Sequence, residues 1–271
     1  MRHPPLLTLL TDFGLEDYYV AAVKGTVLGR VPEATIVDVS HGVPVGDVET
    51  AAFLLAAAAP AFPAGTVHLA VVDPGVGTAR RGLALVAGEQ VFVGPDNGLF
   101  TPFLRGDAWR AFDLEAPNYR LRVVSRTFHG RGVFAPAAAH LALGVDAARL
   151  GPPIADPVRL VWPEVREVTG SVAGAVVHTD RFGNLITSIH ARSVEPLDTR
   201  VTIRVGGREV PLVGTYGDLQ PGRPGALVGS GGRLEIAVRE GSAEALLRAR
   251  RGTPVVVSRT SSTPVRPRRR R

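Results

Sequence analysis

The chain has 271 residues, of which 45% are apolar and 21% charged, so a packed globular core is expected and a disordered chain is excluded. It contains no cysteine, which excludes disulfides, thiolate metal sites and cysteine nucleophiles. The formal net charge is +6, but five arginines lie at 266 and 268–271, and the rest of the chain carries only +1. We therefore expect residues 261–271 to form a basic disordered tail, with weak RNA contact through these arginines as the alternative.

No targeting segment or membrane span is evident in the sequence. The first residues lead directly into LLTLLT, without a long hydrophobic region and a small-residue cleavage site. The longest apolar run, AAFLLAAAAPAF, contains Pro60 and falls short of the roughly 20 residues that a bilayer requires. We expect a soluble, cytoplasmic protein with no membrane partner.

The first half of the chain alternates strand-like and helix-like segments, a pattern typical of buried parallel strands joined by crossover helices. The predicted strands are LLTLLT, ATIVDVS and TVHLAVVD, the predicted helices are LEDYYVAAVKGTVLGRV, VGDVETAAFLLAAAA and GVFAPAAAHLALG, and LALVAGEQVFVGPDNG is predicted to be a hairpin around Gly88. Asp47 is the expected N-cap of the second helix. The sequence thus predicts an α/β domain over residues 1–152 with a mainly parallel central sheet.

A proline-rich stretch, GPPIADPVRLVWPEV, then interrupts the pattern, and we assign residues 153–167 to a linker. Short alternating strands with turn signals follow, together with one helix in SAEALLRARRG. The sequence therefore predicts a smaller all-β, barrel-like C-terminal domain over residues 168–260.

Three predicted strands end in a carboxylate: Asp12, Asp73 and Asp96. Ligands of open α/β sheets bind beyond the carboxyl ends of the strands, so these side chains are expected to converge on one rim. Asp12 could cap the following helix, or its carboxylate could accept both hydroxyls of a ribose.

The segment VVDPGVGTARR places a glycine-rich turn after Asp73. A phosphate loop requires Gly-Lys-Ser/Thr, whereas this segment has Gly77-Thr78-Ala79. The glycine pair alone is common in turns. The segment is distinguished by two oppositely charged residues, Asp73 and Arg80, which lie on either side of a tight loop and are placed to pair.

The segment TFHGRG places His129 in a loop before a predicted helix. It could be a catalytic histidine or a half-buried loop residue with a backbone partner. Zinc held by His129 and the three strand-end carboxylates is a further alternative, although no close ligand pair such as HExxH is present.

In the second half, TDRFGNLITSI gathers Asp180, Phe182 and Asn184 around a glycine. These residues could form a binding loop, although Asp, Gly and Asn also favour a simple β-turn. The glycines of GSGGRLEIAVREGSA would allow a ligand to approach the backbone closely.

Six segments in chain order, LLTDFG, DPGVGTARR, GPDNGLF, TFHGRG, DRFGNLITSI and GRLEIAVREGSA, resemble the S-adenosylmethionine hydroxide adenosyltransferases, also called adenosine-forming S-adenosylmethionine (SAM) hydrolases. Fluorinases and chlorinases are relatives of this family. The resemblance extends from about Leu7 to Val257 and leaves out the tail. It implies hydrolysis of SAM to adenosine and methionine by water attack at ribose C5′, with no metal or cofactor. It also implies a homotrimer that binds SAM between the N-terminal domain of one subunit and the C-terminal domain of its neighbour.

By the same resemblance, Asp73, Arg80 and His129 form the water-activating set, in which Asp73 orients the water while Arg80 and His129 hold the developing hydroxide. The implied substrate-binding residues are Asp12 at the ribose diol, Asp17, Tyr18 and Tyr19 along the following loop, Gly130 near the reacting centre, Asp180 and Asn184 at the methionine end, and Ser230, Arg239 and Glu240 near the methionine carboxylate and adenine. Tyr18, Tyr19, Phe128 and Phe182 are the aromatic candidates for stacking on adenine or contacting the sulfonium, and each could equally be a core residue.

Halogenases of this group carry an aromatic hydroxyl where this chain has Asp73, so the acid favours water over halide as the nucleophile. Three alternatives remain open at this point: a 5′-halo-5′-deoxyadenosine synthase, a non-catalytic SAM- or adenosine-binding module, and a metal-dependent nucleotide hydrolase.

Overall fold

A computed structural model describes residues 4–195 and 201–259 of the chain. The chain divides into two compact units, Met1–Val161 and Trp162–Arg271. This division falls within the linker predicted for residues 153–167, whose own limits stay a prediction. The predicted basic tail lies outside the described residues. Within the described ranges, no helix is both long and apolar enough to cross a membrane.

The first unit is built on a seven-stranded sheet in the order β2-β1-β3-β5-β4-β6-β7. Its strands are β1 Leu6–Thr11, β2 Thr35–Ser40, β3 Val67–Val71, β4 Gly82–Ala87, β5 Gln90–Pro95, β6 Trp109–Asp113 and β7 Pro153–Ile154. The predicted strands and the hairpin around Gly88 are confirmed.

The sheet is mixed, which corrects the prediction of a mainly parallel one. Strands β2, β1, β3 and β5 run parallel to one another, whereas β4, β6 and β7 are joined to the sheet by antiparallel pairs. The cause is the β4–β5 hairpin, whose two-residue turn at Gly88 and Glu89 reverses the chain inside the sheet. Gly88 has a φ of +60°, which suits glycine in such a turn.

Helices cover both faces of this sheet. The helices are α1 Tyr19–Leu28, α2 Val48–Ala58 and α3 Ala135–Ala142, the last preceded by a π-helical turn at Gly130–Phe134. Helices α1 and α3 contribute Val23, Val27 and Ala138 to the hydrophobic core on one face, and α2 contributes Leu55 to the core on the other. Asp47 caps α2 as predicted, its carboxylate accepting from Thr50 N at 3.0 Å.

The second unit is an eight-stranded antiparallel sheet. Its strands are β8 Arg166–Val168, β9 Ser171–Thr179, β10 Leu185–His190, β11 Val201–Val205, β12 Arg208–Val210, β13 Pro224–Val228, β14 Arg233–Val238 and β15 Pro254–Arg259. They follow the order β12-β11-β15-β9-β10-β14-β13, with β8 paired to β9. The described residues of this unit also form two short α-helices, α4 Ala191–Val194 and α5 Ala243–Leu247, and a 3-10 turn at Tyr216–Asp218.

This sheet nearly closes on itself. The chain just beyond β12 pairs with β13, since Val213 N donates to Ala226 O and Ala226 N donates to Pro211 O, both at 2.8 Å. The two edges of the sheet are thereby joined, and the prediction of a barrel-like β unit is confirmed at this level.

Candidate active site

The first element of the site is the carboxyl end of β1. Asp12 follows the last residue of this strand, and its Oδ2 accepts a hydrogen bond from Gly46 N at 2.9 Å. Gly46 belongs to the loop that leads into α2. The Asp12 carboxylate is therefore held by the loop before α2. It does not cap α1, whose N-terminus has no side-chain hydrogen bond.

The second element is the loop between β3 and β4. Arg80 Nε donates to Asp73 Oδ1 at 2.9 Å, and Arg80 Nη2 donates to Asp73 Oδ2, so the pair is bidentate. The Asp73 side chain is 6% exposed and that of Arg80 is 11% exposed. A buried bidentate pair of this kind holds both side chains in a fixed geometry.

Gly77 allows this loop to approach the segment that carries His129. Its φ is +79°, and a Cβ at this position would lie 2.8 Å from Arg126 O. Any other residue would push the loop away from the backbone at 126, three residues before His129. The turn predicted in DPGVGTARR therefore brings together groups that are distant in the sequence.

His129 completes a chain of three side chains, with Arg80 Nη2 lying 2.8 Å from His129 Nδ1. A guanidinium can only donate, so Nδ1 must be the acceptor and the ring proton must be on Nε2. Burial lowers the pKa of His129, and the Arg80 charge lowers it further. The imidazole is thus a neutral ring whose Nε2–H is the remaining donor.

A cavity of about 270 Å³ lies beside these groups in the first unit. It is lined by Asp12, Phe13, Tyr19, Val45, Gly46, Val71, Asp73, Pro74, Val76, Thr127, Phe128, His129 and Gly130. Among the predicted site residues, Asp12, Tyr19, Asp73, His129 and Gly130 share this one cavity, with Arg80 bonded to two of them. The contributions of Phe13 and of Val45 and Gly46 were not foreseen.

Aromatic rings form one wall of the cavity. Phe13 lies 6.0 Å from Phe128 and 5.9 Å from Tyr19 between ring centroids, and Tyr19 meets Phe128 edge to face at 5.2 Å. Gly130 lies against this wall, because a Cβ there would be 3.4 Å from Phe13 Cζ. The wall can take a flat or cationic ligand against ring faces and edges.

Two predicted binding residues lie away from the cavity lining. Asp17 and Tyr18 are both exposed, and Tyr18 stacks on Tyr19 with ring centroids 4.6 Å apart. Tyr18 is thus an outer neighbour of a residue that does line the cavity.

Asp96 does not join the rim, contrary to the expectation from its place after a strand. Its Oδ2 accepts from Arg81 Nε at 2.9 Å, and its Oδ1 accepts from Val158 N at 2.8 Å. Arg81 follows Arg80 but pairs with Asp96 and Asp156 instead of the cavity groups. Asp96 therefore fastens the segment after β7 to the sheet.

Of the four residues considered as zinc ligands, Asp12, Asp73 and His129 line the cavity, but Asp73 is paired with Arg80 and Asp96 lies elsewhere, bonded to Arg81. Across the described ranges 4–195 and 201–259, no group of three or more His, Asp or Glu side chains is arranged to hold a metal ion.

In the second unit, Asp180 and Asn184 form one compact turn between β9 and β10. Asp180 Oδ1 accepts from the backbone N of Phe182 and of Asn184, and its Oδ2 accepts from Asn184 Nδ2, all at 2.9 Å. Gly183 has a φ of +80° and packs against Ser242. The Asp180 carboxylate thus orders this turn, while the Phe182 ring is left 75% exposed.

The other predicted residues of this unit lie in exposed loops at the two ends of β14. Arg239 and Glu240 follow this strand, at the same end as the Asp180 turn because Leu185 pairs with Ile236. Ser230 lies in the turn before β14, at the opposite end of the strand, and is exposed. Glu240 has a φ of +61°, a backbone conformation that few non-glycine residues adopt.

These features define a class of protein: a mixed α/β unit with an acid, a guanidinium and an imidazole linked at its strand ends, followed by a barrel-like β unit. Family models agree, since the SAM hydroxide adenosyltransferase N-terminal domain matches residues 7–151 and the C-terminal domain matches residues 174–256. The chain belongs to the SAM hydroxide adenosyltransferase family, which confirms the family predicted from the six motifs.

Individual proteins support the same assignment. The chain is 46% identical to an (R)-S-adenosyl-L-methionine hydrolase of Thermus thermophilus, over 91% of this chain and 96% of the relative. It is 30% identical to a fluorinase of an Actinoplanes species, over 86% of this chain and 90% of that protein. A crystal structure of an uncharacterized conserved protein from Thermotoga maritima superposes with a TM-score of 0.87 at 34% identity, covering 93% of this chain and 100% of the other.

Proposed function

We propose that this protein hydrolyses SAM to adenosine and methionine, and that Asp73, Arg80 and His129 prepare the attacking water. The observation that carries the proposal is the continuous chain of bonds from Asp73 through Arg80 to His129, beside a cavity that also holds Asp12. In this reading Asp12 receives the ribose diol, and the Phe13, Tyr19 and Phe128 wall lies against the nucleoside or the sulfonium.

The donors and acceptors that Asp73, Arg80 and His129 leave free explain how a water would be oriented. Arg80 occupies His129 Nδ1, so the ring offers only a donor, Nε2–H. The Asp73 oxygens each accept one bond from Arg80 and keep further lone pairs. A water between the two would donate to Asp73 and accept from His129, which turns an oxygen lone pair toward the substrate.

The chemical step needs no external acid. The water oxygen forms a bond to C5′ as the C5′–S bond breaks, and the bonding electron pair leaves with sulfur as the neutral thioether of methionine. The water loses one proton, first toward Asp73 and then to solvent, which balances the charge of the sulfonium. Alignment of water, C5′ and sulfur, together with stabilising groups already in place, supplies the rate enhancement.

Asp73 also favours water over a halide ion as the nucleophile. A carboxylate beside the nucleophile position repels an anion but accepts a hydrogen bond from a neutral water. A halide would need hydrogen-bond donors around it, whereas the proposed nucleophile position faces the Asp73 carboxylate, which can only accept. The synthase alternative is therefore disfavoured on the chemistry of this one residue.

The name of the Thermus thermophilus relative specifies the (R) form of SAM. Because L already describes the amino-acid carbon, the (R) centre is the sulfonium. The test incubates each sulfonium epimer separately with the purified protein, with EDTA and with added Zn²⁺, and separates the products by liquid chromatography. We expect adenosine and methionine in equal amounts, faster from the (R) epimer and unaffected by EDTA. Loss of activity in EDTA would indicate a metal-dependent hydrolase, and binding without product would indicate a non-catalytic module.

We also propose that the active form is a homotrimer in which a neighbouring subunit covers the cavity. The support is an apolar rim in the first unit, where Leu15 is 72%, Tyr18 is 62% and Val45 is 92% exposed. The neighbour would supply Asp180, Asn184, Ser230, Arg239 and Glu240 to the methionine and adenine ends of SAM. Light scattering coupled to size-exclusion chromatography would give the mass of three chains, and a monomer with full activity would overturn the proposal.

We place the protein in the cytoplasm, where its proposed substrate is found.

A further inference from the structure

The second buried feature near the cavity is His41, which the proposed mechanism does not use. His41 is 6% exposed. It directly follows Ser40, the last residue of β2, and begins the loop that leads to α2. Its Nδ1 lies 2.8 Å from Thr11 Oγ1, and its Nε2 lies 3.1 Å from Asp38 Oδ1, an ion-pair distance whose angle falls outside hydrogen-bond geometry. A nitrogen facing a carboxylate carries a proton, so Nε2 is the protonated one and Nδ1 can accept from the Thr11 hydroxyl.

This arrangement resembles a hydroxyl, imidazole and acid relay, but it is not a nucleophilic site. Thr11 is completely buried, and neither it nor His41 lines the cavity. No substrate atom could reach the Thr11 hydroxyl without unfolding the end of β1. Thr11 and His41 can therefore affect the cavity only through the residues that they contact.

Those neighbours are the two loops that define the position of Asp12. Thr11 Oγ1 also accepts from Phe13 N at 3.2 Å, and His41 O accepts from Gly14 N at 2.9 Å. His41 is thus bonded through its ring and its backbone to the residues on both sides of Asp12. From the same loop as His41, Gly46 N donates to the Asp12 carboxylate itself.

The outer end of the relay is held at the surface. Lys24 Nζ lies 2.6 Å from Asp38 Oδ2, so Asp38 is shared between a lysine on α1 and the buried histidine. Burial raises the pKa of Asp38, but Lys24 and His41 outweigh this effect and the net pKa is lowered. Asp38 stays ionised and keeps His41 turned toward Thr11.

We propose that His41 is a positioning residue for the substrate ribose: it fixes the β1–α1 and β2–α2 loops so that the Asp12 carboxylate meets the ribose diol. The inference rests on the proposed function, in which Asp12 binds this diol. It is a role in substrate affinity, so it acts on KM more than on kcat.

His68 provides a matched control within the same sheet. Its Nδ1 lies 2.8 Å from Thr8 Oγ1, and both residues are completely buried. Thr8 lies three residues before Thr11 on β1, and His68 lies on β3, away from the cavity lining. Removing His68 therefore deletes the same kind of buried bond without loosening Asp12.

The experiment compares His41→Ala with His68→Ala by SAM hydrolysis and thermal unfolding. We expect both variants to lose stability, but only His41→Ala to raise KM for SAM, by about tenfold, with kcat within about threefold of the wild type. His41→Asn should restore KM, because the Asn amide can replace Nδ1 toward Thr11, whereas His41→Gln should not. Equal KM values for the two alanine variants would overturn the inference.

A double-mutant cycle and a crystal structure separate this inference from the proposed function. With Asp12→Ala as background, His41→Ala should raise KM no further, and additive effects would contradict the positioning role. If the wild type does not hydrolyse SAM, the proposed function fails, and crystal structures decide on His41 alone. The separation of Asp12 Oδ2 from Gly46 N should then exceed its present 2.9 Å in His41→Ala, and an unchanged separation would refute the inference.

Discussion

Arg80→Lys is the substitution that tests most sharply how the three side chains work together. Arg80 makes hydrogen bonds from three nitrogens: Nε and Nη2 to Asp73, Nη2 to His129 Nδ1, and Nη1 to Arg81 O at 3.2 Å. A lysine keeps the positive charge, but its nitrogen ends one bond short of the position of Nη2, so a lysine paired with Asp73 does not reach His129 Nδ1.

The magnitude follows from the bond that is lost. A hydrogen bond to a charged group contributes about 1.5–3 kcal/mol, so the kcat of Arg80→Lys should fall by about 10- to 100-fold. The unfolding free energy should fall by about 1–2 kcal/mol, because the buried Asp73 retains a counter-charge. Without a donor at Nδ1, the proton of His129 is no longer confined to Nε2, and ring ¹⁵N chemical shifts would report a mixture of tautomers.

Arg81→Lys is the matched control, since Arg81 is adjacent in sequence and also pairs with a buried carboxylate, Asp96, whose side chain is 1% exposed. We expect a comparable loss of stability with kcat within about twofold of the wild type. A wild-type kcat and an unchanged His129 tautomer in Arg80→Lys would refute the reasoning, as would equal kcat losses in the two variants.

Three further predictions concern Asp73 and His129, the loop at Gly77, and stability in acid. Asp73→Ala and His129→Ala should each lose most turnover while SAM binding by calorimetry is retained, and full turnover in either would remove that residue from the mechanism. Gly77→Ala should lower both kcat and melting temperature, because its Cβ would lie 2.8 Å from Arg126 O at a φ of +79°, with Gly106→Ala, which meets no atom within 4 Å, as a control that affects stability alone. Burial lowers the pKa of His68 from 6.5 to about 4. Between these two pH values the His68 ring is protonated in the unfolded state and neutral in the folded state. The unfolding free energy should therefore fall by about 3 kcal/mol between pH 6.5 and 4 in denaturant titrations, and His68→Asn should remove most of that dependence.

The sequence predicted the first parallel strands well because each is a continuous apolar run followed by a polar strand end. It could not predict that the hairpin around Gly88 inserts into the same sheet beside β3. Local turn chemistry specifies that the chain reverses, whereas the place of the hairpin depends on which neighbouring strand β5 finds, Val67 pairing with Val91. The mixed sheet is a property of tertiary pairing.

The pairing of Asp73 with Arg80 could be read from the tight loop between them, because they are close in sequence. Arg80 and His129 are 49 positions apart, and no local pattern predicts their contact. Only the resemblance to the family placed them in one site. Asp96 shows the opposite failure: a strand-end acid followed the pattern of a site residue, but the adjacent Arg81 drew it into a structural pair. His41 had no distinguishing local signal at all.

The most direct test of the central claim is hydrolysis of SAM in ¹⁸O-enriched water with chloride or fluoride added. If Asp73 and His129 orient a water for attack at C5′, mass spectrometry should find the label in the 5′-hydroxyl of adenosine at the enrichment of the solvent, and no 5′-halo product. Asp73→Ala should form much less of the labelled adenosine than the wild type. Unlabelled adenosine, or a 5′-halo-5′-deoxyadenosine formed by the wild type, would contradict the account.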